Sequence, residues 1–328
     1  MAEINFEDKI KFLEQKYFTH DLPIPFKRNL KIYPVLVKDY YNFYSLISCF
    51  TLDKNADIKA KGVKMTHLGY IFHLIEQEGE KHHLINQFFS LLSLVFKEEN
   101  TLICSNPDCD EGELTFEQIW EDLEKYEKEE KKKLKDITDE KELLAKLKRL
   151  QMEYLQKIEI CPICGSRKRE KINIMEEKGT KHLYIGHTEI TNKDFDELRK
   201  IVCYQNIPDF DDDYIDPDLK KDLEEVARLK NPNNVQPTLE KQESCIVSSS
   251  PYKFSELQEL SIRRFVLLLR TIDTKLHYFA YRQAEASGMV SFKGELDHWI
   301  YSNTDHKKNK FKDLLSVDAI KEKFSAAT

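Results

Sequence analysis

Apolar residues are spaced differently along successive parts of this chain, and the spacing divides it. Between Leu30 and Val37 they alternate and are β-branched, the pattern of a strand, and a helix is expected from Lys38 to Leu52. Two further helices are predicted over Lys64 to Glu76 and His83 to Lys97. In the second, Leu84, Phe88, Leu91, Leu92 and Val95 recur at helical steps. Residues 1–100 therefore read as a small aromatic-rich α/β domain.

From Phe116 to Ile158 the period changes. Ile119, Leu123 and Tyr126, then Leu143, Leu147, Leu150, Tyr154 and Ile158, recur every three or four positions within a run of Glu and Lys. The interruption at Asp136 to Asp139 predicts two antiparallel helices, with the charges as their solvated faces. KINIMEEKGTKHLYIGHTEI then reads as a β-hairpin turning at Gly179. NKDFDELRKIVCYQN reads as a helix capped by Asn192 or Asp194, and Asp216 with Pro217 should open another. Ser255 and Gln258 form a capping-box pattern before a long helix through Leu260, Phe265, Leu268, Leu269, Ile272, Leu276 and Phe279, stopped near Gly288. The expected divisions are 1–100, 101–189 with the helical insertion at 116–158, a helical 190–306, and a loose tail at 307–328.

Composition agrees with a helical chain too long for one compact domain. There are 328 residues, 33% charged and 41% hydrophobic, and only nine glycines, too few for a turn-rich all-β fold. The net charge of -7 argues against a general nucleic-acid coat. The first residues lack the basic start and apolar run of a signal peptide, and no stretch approaches a membrane span, so secretion and membrane contact are not expected.

Chemistry concentrates in the cysteines. Four of the seven form close pairs, Cys104 with Cys109 in CSNPDC and Cys161 with Cys164 in CPICGS. An odd total with paired spacing fits metal ligation in a reducing compartment better than disulfides. Two tight turns, each presenting two sulfurs, supply the four-thiolate tetrahedral shell that zinc prefers, and Gly165 lets the chain turn past the metal. The expected cofactor is a structural Zn2+. The fold class is mainly α (α+β): helical N- and C-terminal domains with a zinc-ribbon-like knob carrying an inserted antiparallel helical hairpin. The first pair is spaced by four residues, and His182 and His187 are the substitute ligands should a cysteine not participate. A redox-active Cys-x-x-Cys is the competing reading.

Other features carry less. The acidic run Asp209, Asp211, Asp212, Asp213 and Asp216 lacks the glycine and terminal glutamate of a calcium loop and reads as a linker. Cys49, Cys203 and Cys245 fit small core residues. His82, His83, His277 and His298 do not have metalloprotease spacing, and no phosphate loop, dinucleotide fingerprint or nucleophile elbow occurs. Neither a small-molecule substrate nor a catalytic residue is expected. Arg167, Lys168, Arg169 and Lys171 form a basic cluster beside the second cysteine pair, where phosphate contact would be natural. The helix-turn-helix-like spacing of residues 238–265 joins it in an alternative reading as a zinc-dependent nucleic-acid-binding regulator.

Three stretches carry a resemblance: LKIYPVLVKDYYNFYSLISCFTLDKN, ITNKDFDELRKIVCYQNI and LSIRRFVLLLRTIDTKLHYFAYRQAEASGMVSFKGELDHWI. They look like tail-morphogenesis proteins of phages and prophages of low-GC Gram-positive bacteria, and the first is distantly similar to baseplate-hub assembly proteins of T-even-like contractile phages. The resemblance implies a non-enzymatic tail or baseplate assembly protein or chaperone. It would act in the host cytoplasm, with incorporation in the virion tail as a further expectation. Its partners would be other tail or baseplate proteins, with Phe43, Tyr44, Phe265 and Tyr278 as contact candidates. The cysteine region matches none of these stretches and reads as an insertion.

Overall fold

A computed structural model describes residues 6–27, 30–54, 64–79, 82–98, 101–109, 112–133, 159–177, 179–210, 237–288 and 298–301, with single positions between 146 and 158 and position 225. The expected break at Asp136 to Asp139, the cap at Asp216, most of the acidic run and the 307–328 tail lie outside the described residues. The protein is mainly helical with small antiparallel sheets. It divides into two compact units: residues 1–236 with 255–265, and residues 237–254 with 266–328.

In the first unit, α1 (Phe6–Lys16), α2 (Tyr40–Leu46), α3 (His67–Glu78), α4 (His83–Phe96) and α6 (Asn192–Asn206) surround one core, with the hairpin helix α5 (Phe116–Lys133) outside it. α3 and α4 form where the 3.6-residue period places them. Thr66 caps α3 by accepting a hydrogen bond from the Gly69 N–H. α4 buries Phe88, Leu91, Leu92, Val95 and Phe96, packing on α2 and α3.

The boundary expected at residue 100 is not where the core ends. α6, expected in a separate C-terminal domain, packs against α1 and α3. Phe195 of α6 lies 5.3 Å from Phe50 and 5.8 Å from Phe88, ring centre to ring centre. Residues 6–98 alone would leave that aromatic cluster open to water. α6 is capped by Thr191, not Asn192: the Thr191 hydroxyl accepts from the Asp194 N–H, and the Asp194 carboxylate accepts from the Thr191 N–H.

The strand expected over 30–37 is only partly one. Lys31–Ile32 (β2) pairs with Ile24–Pro25 (β1). Beyond it the backbone turns to a distant partner: the Ile262 N–H donates to the Val35 carbonyl and the Val37 N–H to the Leu260 carbonyl. β5 (Ile172–Glu177), β6 (Thr180–Ile185) and β7 (Thr188–Ile190) form an antiparallel sheet in that order. The β5–β6 turn contains Gly179 at φ 77°, left-handed backbone that glycine adopts without steric penalty.

The second unit contains α7 (Leu239–Ser249) and most of a long helix, α9 (Ile262–Ala286), whose first turn belongs to the first unit. Ser255, the expected N-cap, instead lies inside a single short turn, α8 (Phe254–Leu257). α9 is started by Ser261, whose hydroxyl accepts from the Arg264 N–H. No described helix is long and apolar enough to cross a membrane.

Candidate metal centre

Two short strands bring the cysteine turns together. β3 (Leu102–Cys104) ends on the first ligand and pairs antiparallel with β4 (Lys168–Glu170), which follows the second turn. The Ser105 N–H donates to the Arg167 carbonyl and the Cys161 N–H to the Ser166 carbonyl, so each turn is tied to the strand beside it. Leu114 pairs with Leu102 and Ile160 with Arg167. The chain therefore leaves for residues 116–158 and returns from them at this small platform.

The sulfurs of Cys104, Cys109, Cys161 and Cys164 all lie within 4.8 Å of one another. Cys104 Sγ is 3.4 Å from Cys164 Sγ, and Cys109 Sγ is 3.6 Å from Cys161 Sγ. Four sulfurs bonded at about 2.3 Å to a tetrahedral zinc would stand about 3.8 Å apart, so the spread brackets a metal-sized centre. Backbone amides address the same sulfurs. The Asn106 N–H donates to Cys104 Sγ at 3.4 Å and the Cys164 N–H to Cys161 Sγ at 3.5 Å. Such bonds spread thiolate charge and orient the ligands. Gly165, at φ 72°, donates its N–H to the Cys161 carbonyl and completes the second turn.

Hydrogen bonds from the Ser166 hydroxyl and backbone pull the exposed Cys164 thiol down to about 6, outweighing burial. Burial pushes Cys104 the other way. The four cysteines can hold a metal such as zinc, which binds thiolates. His182 is outside the cluster: its Nδ1 lies 2.8 Å from the Glu189 carboxylate on the neighbouring strand. Burial, then Arg169, lower the pKa of His187, which also takes no part.

Above the platform, α5 buries Ile119 and Leu123. Tyr126 stacks on Tyr154 with ring centres 5.4 Å apart, so the returning chain reaches α5 at that level.

The basic cluster separates into different jobs. Lys171 bonds to both Glu98 and Glu113 at 2.5 Å, with its side chain only 13% exposed. The Arg169 guanidinium donates to the Gly186 carbonyl and the Asn173 side chain and covers the Tyr184 ring. These two cations hold the knob to the body and to the β5–β7 sheet rather than facing a phosphate. Arg167 is exposed and Lys168 half-buried.

Two of the aromatic contact candidates are core residues. Phe43 and Phe265 are fully buried, because α2 and the first turn of α9 face the interior; neither offers a surface to a partner. Tyr44 is exposed and Tyr278 half-buried. Cys49 and Cys203 are buried, and desolvation pushes the Cys49 thiol up to about 12. Cys245, also expected in a core, is exposed. Sequence reasoning missed Trp120, which stands 65% exposed on α5. Its signal was a large aromatic one position off the apolar stripe.

No protein-family model, curated protein or solved structure matches this chain.

Proposed function

We propose that this chain is a non-enzymatic assembly protein of a phage tail or baseplate, working through protein contacts, with one structural zinc held by Cys104, Cys109, Cys161 and Cys164. The observation that carries the metal is the four-sulfur cluster with its amide-to-sulfur bonds. Four protein thiolates fill a tetrahedral shell and leave no position for an activated water, so the zinc staples and does not catalyse. It fastens the two roots of a helical hairpin to a zinc-ribbon-like knob, the geometry of a presented contact arm. The phage setting rests on the three sequence resemblances, at 30–55, 190–207 and 260–300. Deleting the gene in a producing phage tests it: particles lacking complete tails are expected, and complete infectious tails would refute the assembly role.

A further inference from the structure

The base of the hairpin joins exposed apolar surface to exposed carboxylates. Trp120, Ile160 and Ile163 are 65%, 52% and 66% exposed. Ile163 sits inside the second cysteine turn and Ile160 just before it. Trp120 lies six residues before Tyr126 and Ile160 six after Tyr154, and those two tyrosines stack. Large exposed apolar side chains, tryptophan above all, are what binding surfaces concentrate.

Charge is segregated along the same arm. Residues 113–124 hold Glu113, Glu117, Glu121, Asp122 and Glu124 and no Lys or Arg, whereas 125–135 mix six lysines with Glu127, Glu129 and Glu130. Glu117, Glu121 and Glu159 are exposed and form no ion pair among the described residues. From this juxtaposition we infer that the hairpin base is a docking surface for a basic amphipathic helix of a partner protein: an apolar residue of the helix packs on Trp120, and its lysines or arginines meet Glu117, Glu121 and Glu159. Complementary charge would steer the encounter, with the apolar contact supplying most of the hold. The inference deepens the assembly reading by naming the contact surface and its partner's chemistry.

The full chain carrying Trp299→Phe leaves Trp120 as its single tryptophan. A labelled amphipathic peptide of about 18 leucine and lysine residues is titrated against it, with a leucine–glutamate peptide as counterpart. The expected result is a saturable blue shift of Trp120 emission with the lysine peptide alone, weakened about tenfold between 50 and 300 mM salt. Peptide anisotropy extends the test to variants. Trp120→Ala abolishes binding, and Glu117→Lys with Glu121→Lys weakens it at least about tenfold, with circular dichroism verifying that each variant is folded. Equal binding of the glutamate peptide, or unchanged affinity after charge reversal, would overturn the inference. Zinc content measured on the same samples separates the two readings. Zinc without peptide binding sinks the docking surface alone, and peptide binding without zinc sinks the staple alone.

Discussion

Tyr126 and Tyr154, twenty-eight positions apart, stack with their ring planes 28° from parallel. Burial, and after it the nearby Asp122 carboxylate, raise the Tyr154 pKa. The contact ties the outgoing to the returning chain above the cysteine platform. A double-mutant cycle with Tyr126→Leu and Tyr154→Leu, followed by denaturant unfolding, should give a coupling of about 0.5–1.5 kcal/mol.

Loss of the Asn206 side chain should destabilise the first unit. It is fully buried; its Oδ1 accepts from the Val35 N–H at 2.9 Å and its Nδ2 donates to the Val202 carbonyl at 2.9 Å. Asn206→Ala strands the buried Val35 N–H. Chemical denaturation should show a loss of about 1–3 kcal/mol, whereas exposed Asn42→Ala should change stability by less than about 0.5 kcal/mol.

Acid should weaken the join between α6 and the N-terminal segment. Burial alone would raise the Asp194 pKa, but hydrogen bonds from Lys27 and Thr191, with the Lys27 charge, outweigh it and hold the carboxyl below its ordinary 3.8. A depressed carboxylate stabilises the fold above its unfolded value and loses that contribution as pH falls through the folded one. The stability gap between the parent and Asp194→Asn should stay constant at neutral pH and close as pH drops below 3.8. Urea titrations at a series of pH values measure it.

Lys171 predicts the opposite limb. Burial opposes its charge, yet the hydrogen bonds and charges of Glu113 and Glu98 raise its pKa above the ordinary 10.5. Its contribution is whole below that value and fades as pH rises through the folded one. Lys171→Met should cost about 1–3 kcal/mol at pH 7, since it removes two charge-assisted bonds. The difference should shrink only in strongly alkaline solution.

What could be read from the sequence follows from which interactions are local. α3, α4 and the β5–β6 turn at Gly179 depend on nearby residues, and their periods and turn chemistry announce them. The close approach of the four cysteines was legible because a metal-ligand set constrains residue type and spacing together. Pairing of residues 35–37 with 260–262 and the Phe50–Phe88–Phe195 cluster joins positions more than a hundred residues apart, and no period reports that. Phe43 and Phe265 looked available to partners for the same reason: an apolar pattern gives the face that is buried, not what buries it. The helix starts at Thr191 and Ser261 lay within a few residues of equally eligible Asn192 and Ser255, and only the hydrogen bonds decide between them.

The proposed zinc closes the knob through all four cysteines. Metal analysis of the purified full chain, alongside Cys161→Ser and Cys164→Ser, tests it most directly. One zinc per chain is expected in the parent and its loss in both variants, with protease cutting newly concentrated at the knob while the α1–α4 and α6 core stays folded. A parent chain that carries no zinc after refolding with excess metal, or variants that keep a full equivalent, would contradict it.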